Sequence, residues 1–101
     1  MNIESYSLQL FSPEPDALFP LDVAARLARM SRHRVLVCCR RGMISPHRDP
    51  GYGGIYFDAD AIRMLQRIEY LHTACGVNLL GVEIILKLMA DVDESRARAR
   101  D

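Results

Sequence analysis

Polar and apolar positions alternate in two ways along this chain, with a period of two near the N-terminus and a helical period further on. Residues 6–11 alternate and predict a short edge strand, which the Pro-rich residues 12–16 end in a loop. Pro20 suits a first helical turn, and the apolar residues after it recur three or four positions apart, namely Leu21, Ala24, Ala25 and Ala28. The spacing predicts a first helix that ends near Arg29 or Met30.

A second helix is predicted from Arg32 to Arg41. Ser31 offers a hydroxyl to cap its first turn, and Gly42 suits the left-handed conformation in which helices end. Residues 35–39 are rich in β-branched and apolar side chains and also fit a strand. We favour the helix, because the caps and the short connection to the first helix agree with it. Two short helices joined in this way predict a helix-turn-helix.

Glycine and proline fill residues 45–54, which lie between two apolar stretches. Met43 and Ile44 are expected to pair with residues 55–57 as a small hairpin, or wing. Asp58 is predicted to cap a third helix ending near Cys75 and Gly76, with a buried stripe of Ile62, Leu65, Ile68, Leu71 and His72. Asn78 is predicted to cap a fourth helix, followed by a fraying charged tail from Asp91.

These elements predict a mainly α fold, a winged helix-turn-helix with a small β-hairpin wing. We expect an N-terminal strand and loop over residues 1–19, the winged domain over residues 20–93 and a charged tail over residues 94–101. The 101 residues are half apolar, enough for one modest core.

Charge is distributed unevenly along the chain, although the formal net charge is zero. Residues 23–48 hold seven arginines, two histidines and no acid, whereas residues 58–94 hold seven acids and three basic residues. This asymmetry favours a polyanionic partner for the first half, although arginines that merely solvate helix faces would give the same count.

Several classes of function find no support in the residues. No phosphate-binding loop, G-x-S-x-G or H-E-x-x-H motif is present, so we expect no enzyme and no cofactor. Cys38, Cys39 and Cys75 are odd in number and lack metal-site spacing; His72 and Cys75 share one helix face, but we expect no metal. Without a secretory signal or a long apolar run, the chain is expected in the cytoplasm, with no membrane partner.

Four short phrases in the sequence resemble the MerR superfamily. They are Leu-Asp-Val-Ala-Ala-Arg-Leu-Ala at 21–28, Arg-Arg-Gly-Met-Ile-Ser-Pro at 40–46, Phe-Asp-Ala-Asp-Ala-Ile at 57–62 and Gly-Val-Asn-Leu-Leu-Gly-Val-Glu at 76–83. The last is similar to a phrase in heat-shock repressors and in the chaperone-modulator (CbpM-type) branch. Two departures stand out. DNA-binding members carry an Arg-Tyr-Tyr-like stretch in the second helix, where this chain has Leu36, Val37 and Cys38. Their wing carries Arg-x-Tyr, where this chain has Ile55, Tyr56 and Phe57.

The resemblance implies two functions. The first is a MerR-like DNA-binding transcriptional regulator, for which the expected DNA contacts are Arg26, Arg29, Arg32, Arg34, Arg40, Arg41, Arg48 and Tyr52. The second is a chaperone modulator that inhibits a J-domain co-chaperone through an acidic face, with Asp60, Glu69, Glu83 and Asp91 as expected contacts. The apolar fourth helix suggests a homodimer in either case.

Overall fold

A computed structural model of the protein describes residues 11–51 and 53–99. Its elements are β1 (Leu18–Pro20), α1 (Leu21–Ala28), α2 (Arg32–Arg40), β2 (His47–Arg48), β3 (Ile55–Asp58), α3 (Ala59–Glu69), a π-helical turn (Tyr70–Ala74) and α4 (Leu79–Ala99). The mainly helical fold with a small antiparallel sheet is the one expected from the sequence. The strand predicted over residues 6–11 lies outside the described residues except for Phe11.

Side-chain caps begin three of the helices where the sequence predicts them. The Ser31 hydroxyl oxygen accepts a hydrogen bond from the Arg34 amide at 3.0 Å, and the Asp58 carboxylate accepts one from the Ala61 amide at 2.8 Å. The Asn78 side-chain oxygen accepts one from the amide of Gly81 at 2.8 Å. Each contact satisfies an amide that has no partner within its own helix. Residues 35–39, which in sequence also fit a strand, lie in the helix α2.

The sheet differs from the predicted hairpin. The strand that pairs with β3 is His47–Arg48, not Met43 and Ile44. Ile44 is buried in the core, and Pro46, which has no amide hydrogen to donate to a neighbouring strand, lies two residues after it. A third strand, β1, pairs with the other edge of β3, so that Phe19 lies opposite Phe57 in a sheet of order β1-β3-β2. Residues 18 and 19 therefore belong to the sheet of the winged domain.

The fourth helix is longer than expected. It continues through the acidic and basic residues after Asp91 as far as Ala99, and Arg98 and Glu94 form an ion pair one turn apart at 3.5 Å. Alanine, arginine and glutamate are good helix formers, and pairs four residues apart add a few tenths of a kcal/mol (about 0.2–0.5). The charged tail therefore extends the helix.

Only one face of α2 packs into the core. The largest fully buried side chains of the core are Phe57, Ile62, Leu65, Ile68, Val35, Val82 and Cys38. Within α2 only Val35 and Cys38 are fully buried, three residues apart on one face. The opposite face of α2 is left to solvent. Within the described residues, every helix is too short or too polar to cross a bilayer.

Candidate nucleic-acid interface

The solvent-facing side of α2 is basic with one apolar residue at its centre. Arg32, His33, Leu36 and Arg40 are its exposed positions, and their spacing places them on one face of the helix. We call these four residues the outer face of α2. Two guanidinium groups therefore share a surface, as the arginine-rich sequence suggests, but His33 and Leu36 complete it. Both were missed as site residues, although helical spacing alone groups them with Arg32 and Arg40.

Two of the seven arginines are instead held by acids from the C-terminal half of the chain. Arg34 lies on the inner side of α2, and its Nη1 lies 3.1 Å from Glu69 Oε2 at the end of α3. Arg41, directly after α2, donates through Nε to the carboxylate of Glu83 on α4. Both acids are more than 30 residues away in sequence and become neighbours only through folding. Arg34 and Arg41 therefore already have an anionic partner within the chain.

A third arginine is paired at the surface. Arg32 Nε lies 3.1 Å from Asp22 Oδ1 on α1, and both side chains are about two-thirds exposed, at 68% and 64%. Exposed ion pairs contribute about 0–1 kcal/mol because water screens them. Arg32 is thus free to exchange Asp22 for another anion at little cost in stability.

The other four arginines of the segment form no ion pair with any residue in the described part of the chain. Arg26 lies in the last turn of α1, Arg29 in the α1–α2 connection, Arg40 at the end of α2 and Arg48 on the wing strand β2. All four are exposed. We call these four residues the free arginines. Tyr52 lies outside the described residues.

Arg29 has a backbone conformation that favours glycine. Its φ of 59° and ψ of 39° are left-handed, and it closes α1 by donating its amide to the carbonyl oxygen of Arg26. Among the described residues it is the one position other than glycine with a positive φ. Left-handed backbone costs an L-residue about 1 kcal/mol or more, so the exposed guanidinium stands at a strained position.

Ion pairs hold two of the four acids expected to contact a protein partner, since Glu69 and Glu83 pair with Arg34 and Arg41. Asp60 pairs with Arg63 at 3.2 Å, but its side chain is 94% exposed, so this pair is weak and leaves Asp60 accessible. Asp91 forms no ion pair within the described residues. The fold thus offsets two of these four acids.

A hydrogen bond joins two strands at the base of the wing. His47 Nε2 on β2 lies 3.0 Å from Asp58 Oδ2 on β3. The hydrogen bond from His47 and the bond from the Ala61 amide hold the pKa of Asp58 below its ordinary value of 3.8. Arg48, next to His47, is carried outward on the same strand.

The cysteines differ in accessibility. Burial raises the pKa of the Cys38 thiol, and the same effect raises the pKa of Cys39, whereas Cys75 is exposed. The His72 ring nitrogen Nδ1 lies 2.9 Å from the carbonyl oxygen of Val77. In residues 11–51 and 53–99, no three histidine, cysteine or acidic side chains are grouped closely enough to hold a metal ion.

The overall fold is similar to that of a solved structure. HiNmlR, described as a MerR family regulator lacking the sensor domain and bound to promoter DNA, superposes with a TM-score of 0.64 over 82% of this chain at 18% sequence identity. The fold is a MerR-like winged helix-turn-helix. The chain spans 64% of the length of the HiNmlR structure. Its sequence matches no family model and no curated protein significantly.

In this chain α1 and α2, joined by a short connection, are the two helices of the predicted helix-turn-helix, and β2 and β3 form the predicted wing. The likeness supports the fold expected from the four sequence phrases, and it gives no specific support to the chaperone-modulator branch.

Proposed function

We propose that the protein is a cytoplasmic DNA-binding transcriptional regulator whose helix α2 enters the major groove. The observation that carries the proposal is the exposed basic surface of the helix-turn-helix and wing, formed by the outer face of α2 and the four free arginines. An α-helix fits the major groove, and exposed guanidinium groups beside it bind phosphates. HiNmlR, which has the same fold, is bound to promoter DNA in its structure.

The first turn of α2 holds Arg32, His33 and Arg34 and no acid that would repel a phosphate. Arg34 is paired with Glu69, but the pair of Arg32 with Asp22 is exposed and weak. Arg32 can therefore exchange Asp22 for a phosphate near the positive end of the helix dipole.

Arg29 supports the proposal in a similar way. Glycine would occupy its left-handed position without strain, yet an exposed guanidinium stands there, between the two helices of the motif. Strain retained at one position indicates a role for the side chain. We assign Arg29 to a phosphate contact, together with Arg26, Arg40 and Arg48.

The homodimer is part of the proposal. Helix α4 carries an exposed apolar stripe, and its members recur at helical spacing: Leu80, Ile84, Leu88, Met89 and Val92. Such a stripe on a long helix favours pairing with the same helix of a second copy. Two copies would then present two α2 helices to the two halves of a palindromic site.

The test is duplex binding as a function of salt. The protein is titrated with fluorescent duplex DNA at several salt concentrations, and each lost phosphate contact reduces the slope of log K against log salt by about 0.9. Arg40→Ala is expected to weaken binding and to lower this slope by about 1. Arg98→Ala is the control, because it removes the same charge near the far end of α4. Absence of duplex binding at low salt would refute the proposal.

The second candidate is a chaperone modulator that binds a J-domain co-chaperone. It is favoured by the apolar residues 36–38, because DNA-binding members of the MerR superfamily carry an Arg-Tyr-Tyr-like stretch at these positions. Leu36 is exposed, Val37 is half-buried and Cys38 is buried. The ion pairs that hold Glu69 and Glu83, two of its four expected acidic contacts, weigh against it. Capture of a J-domain, with no binding to duplex DNA, would establish this second function.

A further inference from the structure

Leu36 occupies an unusual place for an exposed leucine. It lies midway between Arg32 and Arg40 on the outer face of α2, with 36% of its surface accessible. The other exposed large apolar residues lie on other elements, namely Leu18, Tyr70, Leu80, Ile84, Leu88, Met89 and Val92. On this face one leucine is surrounded by cationic or titratable side chains.

Leu36 lies at the middle of the outer face of α2. Arg32 and Arg40 are each four residues from it, so their Cα atoms lie about 6 Å from that of Leu36 along the helix axis, one on either side, at 1.5 Å per residue. When such a face enters the major groove, its central side chain is directed at the base edges, whereas long arginine side chains near the ends of the helix reach the phosphates.

We propose that Leu36 is a specificity-determining residue that contacts thymine 5-methyl groups in the major groove. This inference rests on the proposed function and identifies the base that α2 reads. Thymine alone presents a methyl group in the major groove, and an aliphatic side chain has no hydrogen bond to offer the other base edges. The half-site therefore carries A·T pairs opposite the middle of α2, while the arginines contact its backbone.

A protein partner is a poorer match for this leucine. A stable protein interface buries about 800 Å² on each side and has an apolar centre built from several residues. The outer face of α2 supplies one apolar side chain between cations. One methyl contact needs no more than this.

The test begins with binding-site selection from randomised duplexes by the wild-type protein. In the selected duplex each thymine is then replaced in turn by deoxyuridine, which removes only the methyl group. Wild-type affinity is expected to fall about fourfold at one or two positions of each half-site, the factor that burial of one methyl group provides. Leu36→Ala should bind the thymine duplex more weakly and lose this dependence at the same positions.

Two variants act as controls. Leu18→Ala truncates an exposed leucine on β1 and should keep the wild-type response to deoxyuridine. Arg40→Ala should weaken binding to both duplexes equally. Thermal unfolding of Leu36→Ala verifies that it is folded, which is expected because alanine is the best helix former.

The outcomes separate the two proposals. Duplex binding with equal affinity for thymine and deoxyuridine at every position overturns the role of Leu36 and leaves the proposed function intact. The same holds if Leu36→Ala keeps the wild-type deoxyuridine response. If no duplex is bound at low salt, both proposals fail. If Leu36→Ala instead binds DNA normally and loses a protein partner, the leucine is a docking residue and the inference is wrong.

Discussion

Removing the Arg34 guanidinium should destabilise the fold more than it weakens DNA binding. Arg34 lies on α2, but its partner is Glu69 at the end of α3, and the two atoms of the pair are 3.1 Å apart. The perturbation is Arg34→Met, which keeps the length of the side chain and removes its charge. It leaves the carboxylate of Glu69, which is only 14% exposed, without its cation.

The magnitude follows from how far each partner is buried. Exposed ion pairs are worth about 0.2–1 kcal/mol, while loss of one partner from a fully buried pair costs about 3–5 kcal/mol. Arg34 is 36% and Glu69 14% exposed, so the pair lies between these limits. We expect Arg34→Met to lower the free energy of unfolding by about 1–2 kcal/mol, which for a domain of this size is roughly 5–15 °C in Tm.

Arg32→Met is the matched control, since it makes the same change two positions away on the same helix. Its pair with Asp22 is about two-thirds exposed on both sides, so the loss of stability should stay below about 0.5 kcal/mol.

The assay is urea unfolding at one fixed protein concentration, for the wild type, the two single variants Arg34→Met and Glu69→Met, and the double variant. A true pair gives a coupling energy of about 1 kcal/mol in this cycle, with the double variant less destabilised than the two single changes together. Additive changes would refute the reasoning. So would an Arg34→Met protein of unchanged stability that binds duplex DNA as weakly as Arg40→Ala.

Three further predictions concern single positions. Asp58→Asn keeps the cap but removes the charge. The lowered pKa of Asp58 stabilises the wild type above about pH 4, and this stabilisation is lost as the carboxylate becomes protonated. The difference in stability between the wild type and this variant should therefore disappear in urea melts as the pH falls towards about 2. Arg29→Gly should raise the free energy of unfolding by up to about 1 kcal/mol and weaken duplex binding; a loss of stability would contradict the strain argument. Iodoacetamide should alkylate Cys75 before Cys38 in the native protein, as mass spectrometry would show, because Cys38 is buried and its pKa is raised; equal labelling would contradict the burial.

The helices could be predicted because their signals are local. Ser31, Asp58 and Asn78 each contact an amide three residues further along, so the sequence around each cap contains all the required information. The strands are different. Leu18–Pro20 is three residues long, too short to show a period, and it becomes a strand only because β3 lies beside it.

The candidate site could be predicted only in part for the same reason. The sequence gives the number of arginines and the spacing of the outer face of α2. It does not reveal that Glu69 and Glu83, 35 and 42 residues away from their partners, neutralise Arg34 and Arg41. Ion pairs of this kind depend on which distant segments the fold brings together, which no local pattern encodes.

Those two ion pairs also set how the proposed regulator would search a genome. The chain brings fewer uncompensated cations to arbitrary DNA than the seven arginines of residues 23–48 suggest, so fewer condensed counterions are released when it binds there. Weak non-specific binding leaves more of the protein free to bind its operator. Discrimination between the operator and other DNA then depends more on the base contacts than on the total positive charge.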